Sequence, residues 1–478
     1  MNFDYRRLYI GGNSCDAATG RKQNVICPAT EQTIAEIAWA TPVDTQKALE
    51  SAAEGFKYWG GLSLKNRTDW MNRLRDAIAA KENLLRECVM YEMGKPWDAT
   101  VEDFQTVMDA LQWYPEEMKR MRDEMIPDEE NTHSHRITSQ AAGVAVAILA
   151  WNFPLLNLGF KIGPALAAGC SIIIKPSEYS PLSAYVFGEI CAEINFPAGV
   201  INVICGPVEE TGVLLCESKI PQVITMIGSS ATGRKLIAQS ATSVKRMSME
   251  LGGNAPVLIF EDADIEKAAA DVAALKFGNC GQICVSPNRI FVHKDVYPQF
   301  RDLLIEKAKK VKIGFGKEHQ PTMGPLISDK ARTRVLEIID EAVSKGAQVL
   351  VGGKVPESLH SGYFLEPTVL NGVSTDMRAY KEEVFGPVAS MLTFEDEADV
   401  LKKANDTEAG LVAYIYSKNM YRIQRLSEQL EFGEVQINGF KYAIYLPHGG
   451  IKESGIGKDC SQYALDDYLI RKRVSIQL

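Results

Sequence analysis

From Val144 to Ser243 the chain alternates short apolar runs with stretches at helical spacing, and this alternation limits its fold more than any other feature. Val144–Ala150, Ser171–Lys175, Ile201–Cys205 and Val223–Ile227 have the length and composition of strands. Between and after them, Leu155–Ala168, Ser183–Ile194, Glu209–Ser218 and Gly233–Ser243 read as helices. Such alternation predicts parallel strands joined by crossover helices. A second series starts at Val257–Phe260 and continues through the helix Ala263–Gly278, the run Asn288–His293 and the helices Tyr297–Lys310 and Asp329–Lys345, predicting a second α/β unit. The chain has no repeat of fixed period and no low-complexity tract.

Ahead of this region, Asp44–Gly60 and Leu64–Met93 read as surface helices with Asp44 in the cap region, and Glu102–Lys119 as a further helix. The polar segment Asp123–His135, with Pro127 inside it, reads as an excursion or hairpin arm. A chain of 478 residues is long enough for roughly two to four domains. Its 52 basic residues against 61 acidic ones, with no long basic run, argue against nucleic acid as a partner. The apolar stretches Ala141–Trp151 and Leu155–Gly169 fall short of the roughly 20 residues a membrane span needs, and the first ten residues carry neither a secretory nor a transit pattern. Ten scattered cysteines lack the density of a disulfide framework, so free thiols and a cytoplasmic location are expected.

Chemistry concentrates in Phe277-Gly-Asn-Cys-Gly-Gln-Ile-Cys-Val-Ser-Pro-Asn-Arg289, which offers the thiol of Cys284, and in Met249-Glu-Leu-Gly-Gly-Asn254, which offers the carboxylate of Glu250. A thiolate adds readily to an electrophilic carbon, and the resulting thioester needs an activated water for release; nucleophile and base together point to acyl chemistry. Cys284 also reads as a buried structural thiol. Cys280 raises a metal site, but zinc would need more ligands than the neighbouring sequence supplies, so no metal is expected. Glu250 also reads as an exposed helix-end carboxylate, although the Leu251-Gly-Gly253 turn would aim it into a cleft.

Three other segments end apolar runs. Gly228-Ser-Ser-Ala-Thr-Gly233 opens a helix with small residues, which suits either a phosphate at the helix N-terminus or simply a strand-to-helix turn. Lys175-Pro-Ser-Glu178 offers a cation and a carboxylate suited to ribose hydroxyls, or a solvated loop. Trp151-Asn-Phe-Pro154 places Pro154 in the first turn of a helix and Asn152 where its amide either donates to an oxyanion or forms a turn.

Together these segments resemble the aldehyde dehydrogenase superfamily, in matching order and over nearly the whole chain. The resemblance rests on Ala150-Trp-Asn-Phe-Pro154, Lys175-Pro-Ser-Glu178, Gly228-Ser229 with Gly233, Met249-Glu-Leu-Gly-Gly253, Gly281-Gln-Ile-Cys284, Glu383-Val-Phe-Gly-Pro387 and Pro447-His-Gly-Gly-Ile-Lys-Glu-Ser-Gly455. It implies Cys284 as nucleophile, Asn152 with the Cys284 N–H as oxyanion donors, and Glu250 as the base that activates water. For the cofactor it implies Lys175 and Glu178 at the adenosine ribose, Ser229 at the pyrophosphate, Glu383 and Phe385 at the nicotinamide ribose and ring, and Trp151, Gly228, Gly233 and Leu251 as further cofactor-binding residues. Glu178 accepts from ribose hydroxyls and repels a 2′-phosphate, which favours NAD, with NADP tolerated. The implied fold is a doubly wound dinucleotide-binding domain (1–121 and 141–252), an α/β catalytic domain (253–468) and a small β oligomerisation extension (122–140 and 469–478), assembling as a homodimer or homotetramer.

Departures from the family pattern are Met226-Ile227 before Gly228, Gly457-Lys-Asp459 with Asp459 as a second carboxylate, and His448 where a large aromatic is common. By the same resemblance the aldehyde tunnel is lined by Phe153, Leu156, Asn157, Phe160, Ile283, Val285, Tyr442 and His448, with Lys441 nearby. Polar groups there favour a short hydroxylated or anionic aldehyde, a semialdehyde or lactaldehyde-like compound, because an apolar substrate would leave them unsatisfied. The alternatives are a longer apolar or aromatic aldehyde, transfer of the acyl group to coenzyme A, and a non-catalytic protein that has kept the fold.

Overall fold

The computed structural model describes residues 3–478. Helix Pro42–Gly60 starts at Thr41, whose hydroxyl accepts the Asp44 N–H while the Asp44 carboxylate accepts the Thr41 N–H. Asp44 is therefore the third helical residue of a capping box rather than the cap itself. The predicted stretch Leu64–Met93 is two helices, Leu64–Ala79 and Glu82–Met93, the second ending at the left-handed Gly94.

Both sheets are mainly parallel, as the alternation predicts. In the first, strands run in the order Asn13–Cys15, Leu8–Ile10, Ile201–Val203, Ser171–Lys175, Val144–Ile148, Pro221–Ile227, Arg246–Glu250 and Gly455–Ile456. Successive parallel strands step one way from Val144–Ile148 and then the other way from Pro221–Ile227, so the switch point lies between these two neighbours. Ligands of open α/β sheets bind beyond the carboxyl ends of strands at such a point. Trp151-Asn152 follows one of these strands and Gly228-Ser229 follows the other. The second sheet runs Gln348–Val351, Thr368–Asn371, Val388–Phe394, Arg289–His293, Pro256–Ile259, Val412–Tyr416 and Glu434–Ile437.

Each sheet has its own apolar core, one built mostly from residues before Gly252 and one from Ala255 to Phe432. The C-terminal helix Ser461–Tyr468 buries Ala464, Leu465 and Tyr468 in the first core, so the chain returns to that sheet after building the second. A separate three-stranded antiparallel sheet pairs Leu469–Gln477 with His133–Ala141 over nine residues, and Glu124–Ile126 adds to its other side. The basic tail is an edge strand of this sheet.

Helix Pro154–Ala168 forms one wall beside the switch point and lies close against helix Thr100–Met118. A Cβ at Gly159 would fall 2.8 Å from Val107 Cα, and one at Gly163 would fall 2.5 Å from the Tyr114 ring, so only glycine allows this approach. Lys95, a residue with no motif around it, ties the same corner together. Its buried ammonium pairs with Asp103 at 2.5 Å, donates to the Asn152 carbonyl at 3.2 Å and stands 3.6 Å from the centre of the Phe153 ring. Asp103 also accepts the Leu156 N–H.

Burial pushes the Asp103 carboxyl above its ordinary range, and Lys95 opposes that push. Lys95→Met, which strands the carboxylate, is expected to cost about 3–5 kcal/mol, seen as a lower melting temperature. An acid whose folded pKa is raised weakens the fold as pH rises above its unfolded value, so the deficit should grow from acid toward neutral pH. A variant as stable as the parent at pH 7 would contradict this account of the corner.

Candidate active site

Cys284 lies in the loop between helix Ile265–Phe277 and strand Arg289–His293. Three consecutive left-handed residues, Asn279, Cys280 and Gly281, turn the chain into this loop at φ of 46°, 57° and 71°. A side chain at position 281 would meet the Gly386 carbonyl at 2.1 Å. Gln282 then pins the loop: its amide accepts the Ile327 N–H and donates to the Asn279 and Pro325 carbonyls.

Glu250 ends the strand Arg246–Glu250 and is 4 % exposed, so it is neither at a helix end nor solvated. Behind it the Leu251–Gly253 turn runs beneath the nucleophile loop, where a Cβ on Gly253 would sit 2.5 Å from the Cys284 carbonyl. Two residues far apart in sequence and carried by different sheets are thereby brought together. The Cys284 sulfur, a Glu250 oxygen and an imidazole nitrogen of His448 all lie within 4.8 Å of one another. A closed zinc site calls for four ligands, and this trio is the only such group among the described residues.

Asn152 faces the same loop. Its side-chain nitrogen donates to the Gln282 carbonyl at 3.2 Å, while its side-chain oxygen is the acceptor of Asn157. The Asn152 backbone carbonyl accepts from Lys95 and Asn279, which fixes the residue from behind. Asn152 and Cys284 line the same cavity.

A cavity of about 580 Å³ opens in front of these groups. Phe153, Leu156, Asn157 and Phe160 line it from the helix after Asn152, Ile283 and Val285 flank Cys284, and Tyr442 and His448 close the far side. Tyr442 is held by a hydroxyl bond to Tyr414 at 2.8 Å. Lys441 is exposed and also borders the cavity. The wall includes Glu434 and Asp459 as well; Asp459 is paired at 2.6 Å with the buried Lys161.

His448 is flanked by two carboxylates, Glu434 at 2.7 Å from Nδ1 and Glu250 at 3.5 Å from Nε2. Burial disfavours the imidazolium, but the thiol and these carboxylates outweigh it and hold the His448 pKa well above its ordinary value. Burial, reinforced by the charge of Glu250, pushes the Cys284 thiol up to about 12, and His448 pulls the other way. Glu434 gave no sign in sequence because its partner lies 14 positions away on a loop.

The residues expected at the cofactor surround the carboxyl ends of the first sheet. Lys175 ends its strand with its side chain largely buried, and Glu178 is exposed in the following loop. Ser229 caps helix Ser230–Gln239 by accepting the Thr232 N–H, and Gly228 donates its N–H to the Glu250 carbonyl. At Gly233 a Cβ would fall 2.7 Å from Leu251, so glycine lets this helix settle on the catalytic turn. The Glu383 carboxylate accepts the Gly253 N–H at 3.0 Å, and burial with Glu250 nearby raises its pKa to about 7. Phe385, left-handed at φ 51°, packs edge-on against Trp151 with centroids 5.5 Å apart. Small residues at a helix N-terminus, a carboxylate and ammonium at a neighbouring strand end, and a second carboxylate beside Glu250 fit a dinucleotide laid across the switch point.

Residues 15–474 match the model of the aldehyde dehydrogenase family. The chain is 40% identical over 466 residues to a mitochondrial succinate-semialdehyde dehydrogenase of Oryza sativa subsp. japonica, covering 97% of this chain and 88% of that protein. It is 37% identical over 478 residues to the NADP(+) succinate-semialdehyde dehydrogenase GabD of Escherichia coli, covering 100% and 99%. Its structure superposes on the crystal structure of a succinate-semialdehyde dehydrogenase from Burkholderia pseudomallei with a TM-score of 0.97 at 37% identity, covering 99% and 98% of the two chains. With a nucleophile loop, a carboxylate-bearing strand end and a dinucleotide-binding sheet in the family's arrangement, the chain belongs to the aldehyde dehydrogenase family and is an NAD(P)-dependent oxidoreductase.

Proposed function

We propose that this enzyme oxidises a short polar aldehyde to its acid through a covalent Cys284 intermediate. The observation that carries the reading is the meeting of the Cys284 sulfur and the Glu250 carboxylate within 4.8 Å on a cavity wall that also holds Asn152. Cys284 adds to the aldehyde carbon, and the Asn152 side-chain N–H with the Cys284 backbone N–H stabilises the oxyanion of the thiohemiacetal. A dinucleotide held by the residues below would supply the acceptor for the hydride leaving this carbon. Glu250 then removes a proton from the water that attacks the thioester, and the carboxylic acid departs as the sulfur is released. Lys175 and Glu178 would hold the adenosine ribose, Ser229 the pyrophosphate and Glu383 the nicotinamide ribose. Glu178 favours NAD over NADP by repelling a 2′-phosphate.

For the substrate we favour an aldehyde of about three to five carbons with a distal acid or hydroxyl, a size drawn from pocket logic. Three lining cations bear on it. Lys95 is neutralised by Asp103 and His448 is flanked by two carboxylates, which leaves Lys441 free at the rim to meet a distal carboxylate. The succinate-semialdehyde specificity named for the relatives supports this choice. A second reading has its own support: Glu102 and Glu434 add carboxylates to the wall and no arginine lines it among the described residues, which suits a cationic short aldehyde. The separate three-stranded sheet, with Met125, Ile126 and Ile476 exposed on it, would carry the contacts of a homodimer or homotetramer. Ten free cysteines fit a reducing cytoplasm, and no described helix is long and apolar enough to cross a membrane.

Turnover on succinate semialdehyde, 4-aminobutanal and butanal with each cofactor tests the substrate. Succinate semialdehyde should have the highest kcat/KM, and Lys441→Gln should raise its KM about tenfold, the loss of one charge-assisted contact, with a smaller effect on butanal. A preference for 4-aminobutanal would replace the anionic reading with the cationic one. For the mechanism, Glu250→Gln should give one equivalent of reduced cofactor in a burst, followed by turnover slowed about 100-fold or more, the range of a lost general base. Loss of the burst with full steady-state turnover would remove Glu250 from this role.

A further inference from the structure

Cys284 is half-buried beside a carboxylate, and both features oppose formation of the thiolate that the reaction requires. Of the lysines near the cavity, Lys161 is taken by Asp459 and Lys95 by Asp103. One cationic group remains at the sulfur. We propose that His448, held by Glu434, is the fixed counter-cation of the Cys284 thiolate, a role added to its place in the cavity wall and resting on Cys284 as nucleophile.

The geometry supports this in three ways. First, Glu434 binds Nδ1 at 2.7 Å from the edge strand Glu434–Ile437, which leaves Nε2 as the nitrogen facing the nucleophile and Glu250. Second, the His448 backbone is clamped by a reciprocal pair of 2.7 Å bonds with Asp459, and its ring is bracketed by Phe160 and Tyr442 at 6.1 and 6.0 Å. The imidazole therefore cannot swing away without breaking these contacts. Third, the Glu250 oxygen nearest to His448 is buried and has no hydrogen-bond partner, so it is free to take a proton.

In the activation step the S–H bond of Cys284 breaks, its electron pair stays on sulfur, and the proton leaves to solvent, by way of Glu250 where that carboxylate is present, so the burst of Glu250→Gln does not depend on it. No electron is gained or lost. His448 stays protonated throughout and faces the negative charge that forms on sulfur. Loss of that proton to solvent restores Glu250 as the base for hydrolysis. An aromatic at position 448 would pack as well but supply no charge.

Titratable groups approach His448 from each element packed against it. Glu250, Cys284 and Glu434 face the imidazole directly, and Asp459 and Cys460 approach along the bridged strand. Lys161 is spent on Asp459. Lys458 donates to the Gly449 carbonyl at 2.5 Å, and Tyr414 and Tyr442 bond each other. The two carboxylates at His448 outnumber the cations that reach it, which keeps the imidazole charged.

The test is the pH profile of iodoacetamide alkylation of the full-length enzyme without cofactor or aldehyde, with the modified residue identified by tandem mass spectrometry. His448→Gln should move the midpoint of Cys284 alkylation up by one pH unit or more, about a tenfold loss of rate at pH 7 because only the thiolate reacts. Glu434→Gln should move it in the same direction, and Glu434→Asp should restore it. Profiles of His448→Gln and the parent that superimpose would overturn the proposal. So would unchanged alkylation in Glu434→Gln, which keeps the wall intact should the His448 variant fail to fold. If the parent is instead labelled only at another cysteine, the assignment of Cys284 as nucleophile falls, and the role of His448 falls with it.

Discussion

Gly253 has no room for a side chain, and the active site depends on that. The turn from Glu250 to Gly253 leaves the penultimate strand of the first sheet and passes under the loop carrying Cys284, with the Cys284 carbonyl 2.5 Å from where a Cβ would stand. Its N–H holds Glu383, so the same glycine links base, nucleophile loop and cofactor-side carboxylate. Neither sheet alone contains a site. The first supplies Glu250 and Asn152 from strand ends around its switch point, and the second supplies Cys284 and Glu434.

Contact of two cores concentrates charge that neither would tolerate alone. Glu250, Glu383, Glu434 and Asp459 converge around a cavity, and each has a different means of support: an N–H for Glu383, a lysine for Asp459, an imidazole for Glu434. Burying several like charges is costly unless each is paired or hydrogen-bonded. Glu250 keeps one buried oxygen without a hydrogen bond, as Asp459 also does, and for a base that must take up a proton that state is useful.

Local patterns in the sequence suffice for the parallel strands: Ser171–Lys175 is found at the limits its apolar run predicts, and Pro154 opens its helix as its fixed φ suggests. The motifs also brought Cys284, Glu250 and Asn152 into one candidate site, because each carries a local signal of turn, strand end or small residue. Other features depend on partners distant in sequence and left no such mark. Lys95 reads as an ordinary lysine after a helix until Asp103 and the Asn152 carbonyl close around it, and Gln282 reads as a spacer until Ile327 and Pro325 meet its amide. Thr41, the cap of its helix, carries a weaker local signal than the charged Asp44 three residues on. His448 was legible as a wall residue, but Glu434, which sets its charge, was not.

The most direct test of the whole arrangement is a crystal structure of Glu250→Gln soaked with oxidised cofactor and succinate semialdehyde. Density continuous from the Cys284 sulfur to the acyl carbon, with its oxygen within hydrogen-bond distance of the Asn152 side-chain nitrogen and His448 beside the sulfur, is the predicted result. An acyl group on Cys280 or any other thiol, or substrate bound outside this cavity, would contradict the account.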